Sequence, residues 1–268
     1  MRIAIEGQRL FREKKHGMDM VALELIKNLQ EIDKENQYFV FVKPDQDKCL
    51  KNTDNFKIIE LGGGAYPFWE QFSLPKAARQ YKCDILHCTS NTAPVNTKIP
   101  LLVTLHDIIY LESISIFKKG GTWYQKVGNM YRRWNVPKIV RKSEKIITVS
   151  EFERDRIKKF FGFTDNRLVS VYNGVSEHFK PINDAGEIQR IREKYKLPEK
   201  YLFHLWNTDP KKNTQGVLAA YASYLENADE PLPLVMLDFD ESILKRMLMD
   251  IGKPDLREKI HLTGYVVN

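Results

Sequence analysis

The chain has little cysteine: Cys49, Cys83 and Cys88 in 268 residues. An odd number without metal-type spacing argues against a disulfide framework or a zinc module and fits reduced thiols in a cytosolic protein. Long apolar runs are missing too. None approaches the roughly 18 residues needed to span a bilayer, and the opening MRIAIEG reads as a strand rather than a leader. Repeats at solenoid periods and low-complexity tracts are absent. So is a GxGxxG fingerprint, since only Gly7 and Gly17 stand near the first strand–helix junction. Acidic residues are outnumbered, 35 against 42 basic ones, for a net charge of +7. That balance suggests an anionic partner, over a surface whose lysines are otherwise simply solvated.

What is present is an ordinary globular composition, 43% hydrophobic and 29% charged. Apolar runs at 2–6, 38–43, 56–61, 85–88, 101–106, 145–150, 168–173, 201–206, 233–238 and 259–264 read as strands. Helical patterns over 18–32, 68–82, 121–142, 151–161, 184–196, 213–227 and 241–252 lie between them. The early strands are apolar on both faces, as buried parallel strands are. The alternation predicts an α/β chain of βαβ units. Phe179-Lys180-Pro181-Ile182-Asn183-Asp184 breaks the rhythm. Residues 1–181 then form one Rossmann-like domain, and 182–268 supply about three strands and three helices, fewer than such a domain usually has.

Several polar residues fall at the carboxyl ends of strands, where open α/β sheets bind ligands. Gly17 sits between the first strand and the first helix, whose free N–H groups suit a phosphate; a plain turn glycine is the bland alternative. His106 and Asp107 end the fifth strand, with Asp107 placed to cap the next turn. Thr89, Ser90 and Asn91 follow the fourth. Ser150 is an N-cap with Glu153 three residues on, which explains it without any ligand; Glu151 lies beside it. Asn173-Gly174 reads as a hinge, with Gly174 in a backbone conformation costly to other residues. Lys211 and Lys212, at the start of a helix in the second half, complement a diphosphate.

Five segments occur in order: HGMDMVALELIKNL (16–29), VTLHDIIYLE (103–112), IITVSEFERDRI (146–157), VSVYNGVSEHF (169–179) and WNTDPKKN (206–213). Together they resemble the nucleotide-sugar-dependent glycosyltransferases of the GT-B fold, specifically the retaining family 4. WEQ (69–71), with Trp69 expected in the core, and LHCTSNTAP (86–94) add to the resemblance. It implies transfer of a hexose from a nucleoside diphosphate sugar to a glycan or lipid-linked acceptor, with retention and without a metal or other cofactor. It implies that His106 contacts the transferred sugar and that Lys211 and Lys212 hold the donor diphosphate, with Gly17 beside it. Asp107, Ser90, Asn91, Ser150, Glu151 and Asn173 then line the cleft or the acceptor. No enzymatic nucleophile is nominated.

The match has departures. Lys211 stands where the family usually has arginine, so bidentate geometry is lost while charge is kept. Trp206 replaces a small residue, and LVMLDFD (234–240) lacks a glycine-rich turn. The sequence stops at Gly264-Tyr265-Val266-Val267-Asn268, before the segment that in the family carries two glutamates. The resemblance therefore implies a truncated enzyme, inactive or nearly so. A non-catalytic fragment or binding subunit, a sugar-nucleotide epimerase and a peripheral membrane protein without sugar chemistry are the alternatives. Residues 117–142 are basic and aromatic: Trp123, Tyr124, Val127, Met130, Tyr131 and Trp134 on one helical face, with Lys126, Arg132 and Arg133 beside it. Such a face suits an anionic membrane and a cytoplasmic protein peripheral to it, or else a core helix with a solvated basic side. Without an RNA-binding signature, nucleic acid is a poor reading.

Overall fold

A computed structural model describes the chain except for residues 113–122, 178, 207–211, 238–239, 265 and 267–268, and the side chains of 123–126. The expectations for Lys211, for 117–122 and for the side chains of Trp123, Tyr124 and Lys126 lie outside the described residues. Two compact units are present, Met1–Ser176 and Glu177–Asn268.

Among the described residues the first unit holds seven strands: β1 (Arg2–Glu6), β2 (Gln37–Val42), β3 (Phe56–Glu60), β4 (Ile85–Cys88), β5 (Leu101–Thr104), β6 (Lys145–Thr148) and β7 (Leu168–Ser170). They form one sheet in the order β3-β2-β1-β4-β5-β6-β7, and every pairing is parallel. Its helices are α1 (Gly17–Ile32), α2 (Tyr66–Phe68), α3 (Leu74–Gln80), α4 (Ile109–Glu112), α5 (Trp123–Lys142) and α6 (Glu151–Phe161). Successive strand residues point to opposite faces, and the core divides accordingly. Ile5, Val40 and Val42 pack with Ala22, Leu23 and Ile26 of α1. Ala4, Phe39, Phe41, Leu86 and Val103 pack with Trp69, Leu74, Ala78 and Ile139. Trp69 is fully buried, its indole N–H donating to the Leu61 carbonyl at 2.8 Å.

The helix expected over 68–82 is divided. A π turn, Trp69–Ser73, separates α2 from α3. Pro75 lies at the start of α3 and has no N–H to give to the preceding turn, which loosens the ladder there. Gly7, rather than Gly17, is the glycine that packing requires. A Cβ on Gly7 would lie 2.8 Å from Leu10 and 3.2 Å from Val40, whereas one on Gly17 meets nothing within 4 Å. Gly174 is corrected also: it is absent from the positive-φ glycines and sits in open space. The segment after β7 runs irregularly without a tight turn, so nothing there demands a left-handed residue.

The second unit contains α7 (Ala185–Tyr195), β8 (Leu202–His204), α8 (Thr214–Asn227), β9 (Leu234–Met236), α9 (Glu241–Asp250) and β10 (Ile260–Leu262), with parallel strands in the order β10-β9-β8. Leu218, Tyr221, Leu234, Met236, Leu244, Leu248 and Ile260 form its core, and Trp206 packs against it. Asp240 caps α9, accepting from the Ser242 and Ile243 N–H groups at 2.8 and 3.1 Å.

Candidate functional site

The strand order of the first unit reverses between β1 and β4. From β1 the chain runs outward through β2 and β3, then returns to build β4 to β7 on the other side. Such a switch point opens a crevice at the carboxyl ends of the strands. Here it is laced by buried polar groups. The Thr89 hydroxyl donates to the Glu6 carbonyl at 2.9 Å and reaches its carboxylate at 3.2 Å, and the Gln8 N–H donates to that carboxylate at 3.0 Å.

His106 stands at this edge, two residues beyond β5. Its backbone N–H donates to Asn91 Oδ1 at 2.6 Å, and its ring Nε2 lies 3.0 Å from the Thr89 carbonyl oxygen. A carbonyl accepts only, so Nε2 carries the hydrogen and Nδ1 is the acceptor of the neutral ring. Burial depresses the imidazole pKa, against the opposing pull of the Thr89 carbonyl, Asp107 and Asp19. Near neutral pH the ring is an uncharged, oriented acceptor. Asp107 Oδ1 accepts from the Ile109 N–H at 3.2 Å and so caps the turn that begins α4. Ser90 and Asn91 are buried, and Asn91 adopts left-handed backbone with φ 69°. Asparagine tolerates that region better than most residues.

Around this centre lie the other expected positions of the first unit. Gly17 is the first residue of α1 and faces open space. Asp19 is buried in the same turn and accepts from the His16 N–H at 2.9 Å. Its charge reaches His106. Ser150 caps α6, accepting from the Glu153 N–H at 3.2 Å. The Glu153 carboxylate pairs with Arg156 at 2.8 Å instead of completing a capping box. Glu151 pairs with Arg154 at 2.5 Å and accepts from the Ser170 hydroxyl. Asn173 is exposed in the segment after β7. In the second unit Lys212 is exposed just before α8, next to Asn213 in left-handed backbone, φ 51°.

Sequence reasoning missed a heavily bonded buried group of the first unit. Glu70 is fully buried in the π turn. It accepts from Thr92 Oγ1 at 2.5 Å, from Tyr66 Oη at 2.9 Å, from Gln71 Nε2 at 3.2 Å and from the Tyr131 hydroxyl. Burial pushes its carboxyl up from the usual 4.5 to about 7, with Glu6 adding to the rise and the Thr92, Tyr131 and Tyr66 hydroxyls opposing it. The one signal in the sequence was a carboxylate lodged between Trp69 and Gln71. The expected aromatic face of α5 is altered by the same network, because Tyr131 turns its hydroxyl to Glu70 and Gln71. Val127, Met130 and Trp134 remain exposed, and the Lys138 ammonium sits 4.0 Å from the centre of the Trp134 ring.

The Glycosyltransferase Family 4 profile matches residues 16–179, more than half of the chain. The protein belongs to Glycosyltransferase Family 4. It is 28% identical over 146 residues to O-antigen chain mannosyltransferase B of Escherichia coli, a match covering 54% of this chain and 36% of that one. The chain thus spans about a third of that relative and a smaller part of the other curated relatives it matches. Among solved structures it resembles Anabaena HepE in complex with UDP-glucose, with TM-score 0.64, 15% identity, and coverage of 99% of this chain and 69% of that one. It also resembles UDP-GlcNAc 2-epimerase of Methanocaldococcus jannaschii, with TM-score 0.58, 13% identity, and coverage of 99% and 74%. These likenesses show the fold, which is of the GT-B class. Among the described residues no helix is long and apolar enough to cross a membrane.

The buried Glu70 carboxyl gives stability a particular pH dependence. Below the usual carboxylate pKa the folded and unfolded chains both hold the proton. Between 4.5 and about 7 the unfolded chain ionises while the folded one does not, so stability falls as pH rises. At about 1.4 kcal/mol per pH unit, that window is worth roughly 3 kcal/mol. The stability of the native protein minus that of Glu70→Gln should therefore decline from pH 4.5 to pH 7 and level off above. Urea unfolding of both proteins across this range checks it, and a difference independent of pH would contradict it.

Proposed function

We propose that the protein is a retaining glycosyltransferase, or part of one, that moves a hexose from a nucleoside diphosphate sugar to a glycan or lipid-linked acceptor. Membership of Glycosyltransferase Family 4 supports transfer. The observation that carries the reading further is His106: a half-buried, neutral ring fixed by Thr89 and Asn91 at the carboxyl edge of the first sheet. A sugar hydroxyl can donate to its Nδ1. The donor class is supported by the likeness to a protein solved with UDP-glucose, and the hexose by similarity to a mannosyltransferase.

In this reading the departing nucleoside diphosphate is the group that gains charge. Lys211 and Lys212, together with N–H groups at the start of α8, stabilise it as it forms, which lowers the barrier more than it tightens binding. In the same reading the N–H groups at the start of α1, where Gly17 meets open space, are further donors suited to a phosphate. The cations meet the diphosphate charge, so the reading calls for no metal. The exposed Val127, Met130 and Trp134 with Lys138 form a short apolar and basic strip on α5. It supports peripheral contact with anionic lipid at the cytoplasmic face of a membrane, where a lipid-linked acceptor would reside.

In the full-length protein, Lys212→Ala should lower turnover more than tenfold, because a charge-assisted contact to a developing anion is worth on the order of 2–3 kcal/mol. His106→Ala should impair transfer while leaving affinity for the nucleoside diphosphate nearly intact. Steady-state kinetics over a panel of nucleotide sugars decides this; unchanged turnover and Michaelis constants in either variant would refute that residue's role. Flotation with liposomes should require acidic lipid and weaken with salt. Equal binding to neutral vesicles would remove the membrane reading.

A further inference from the structure

The loop that holds His106 is itself held from behind. Three residues of the loop after β4 divide the work. Thr89 offers its carbonyl to the His106 ring, Asn91 accepts the His106 backbone N–H, and Thr92 turns away to donate to Glu70 at 2.5 Å. The next turn is clamped by the neighbour of Glu70. Gln71 Nε2 donates to the Ala93 carbonyl at 3.0 Å, and Gln71 Oε1 accepts from the Val95 N–H at 2.8 Å. Asn135 of α5 closes the other side, donating to the Ala93 carbonyl at 2.8 Å and accepting its N–H at 3.2 Å.

Asn91 lies between these anchors in left-handed backbone. Such a conformation costs free energy for a residue with a side chain, and it persists only where its surroundings fix it. The Asn91 N–H donates to the Thr104 carbonyl at 3.1 Å on one side. On the other, its neighbour Thr92 is tied to a carboxylate that no solvent reaches. Glu70 in turn is set by hydroxyls from two separate helices, Tyr66 of α2 and Tyr131 of α5. It is fully buried, with no exposed surface through which to touch a substrate.

The geometry points to Glu70 as a positioning residue: through Thr92 it fixes the 89–93 loop with Asn91 in its left-handed form, and the loop sets the orientation of the His106 ring. The importance of that orientation for transfer rests on the function proposed above; the coupling of Glu70 to His106 does not. Above its midpoint of about 7 the ionised carboxylate suits the task, because it accepts from several donors at once and offers none that would compete. Glutamine has nearly the same shape but turns an NH2 group toward hydroxyls that are already donating.

The test uses the full-length protein with Glu70→Gln and, separately, Thr92→Val. The first readout is the His106 imidazole signal in NMR, followed through its titration. Both variants should displace the resonance and move its midpoint by about half a pH unit or more, since the Thr89 carbonyl bond supports the protonated ring. The second readout is kinetic. Each variant should lower kcat about tenfold with the donor KM unchanged, and Glu70→Gln should have little further effect in a His106→Ala background. A merely structural role would lower stability without moving the imidazole midpoint. An unmoved His106 signal in the folded variants would overturn the proposal, as would kinetic losses that simply add to those of His106→Ala. If the native protein transfers no sugar, the function reading fails and the NMR result alone decides the coupling. If Glu70→Gln does not fold, Thr92→Val decides it.

Discussion

Everything in the first unit depends on the parallel pairing of β1 with β4, Ile3 opposite Ile85 and Ile5 opposite His87. A parallel sheet brings every strand's carboxyl end to one edge and buries both faces under helices. The pairing also places the reversal of strand order where the loops after β1, β4 and β5 meet. Glu6 ends β1, Thr89 and His106 lie in the loops after β4 and β5, and hydrogen bonds through Thr89 join them. Register slippage at this one ladder would separate them all.

Burial then chooses the charge states. Sequestration favours the neutral forms of both His106 and Glu70, depressing the pKa of one and raising that of the other. The ring becomes an acceptor able to meet a hydroxyl group. The carboxyl becomes a buried hub whose ionisation is poised near neutrality. Lys212 is exposed just before α8, where the proposed function has it meet the anionic donor.

Much of this was legible in the sequence. The ten strand candidates correspond to β1 through β10, because short β-branched runs bounded by turn formers leave little ambiguity when helices alternate with them. The errors at strand ends are instructive. LLVTLH, KIITVS and LVSVYN stop pairing at Thr104, Thr148 and Ser170. The residues beyond these ends include His106, Ser150 and Asn173. His106 and Ser150 leave the ladder to make the loop and cap bonds that put them at the edge. Glu70 was not legible, since its partners Thr92 and Tyr131 lie 22 and 61 residues away and no local period marks them. Nor was the roominess at Gly17 and Gly174, because only a three-dimensional neighbourhood distinguishes a glycine that packing demands, such as Gly7, from one in open space.

The most direct measurement is the NMR signal of the His106 ring in the full-length protein, titrated with UDP, GDP, UDP-glucose and GDP-mannose. If His106 meets the transferred sugar, a nucleotide sugar that binds will shift the imidazole resonance, while the matching nucleoside diphosphate binds and leaves it nearly unmoved. Equal shifts from a nucleotide sugar and its diphosphate, or no shift from a nucleotide sugar that demonstrably binds, would contradict the placement of His106 at the sugar.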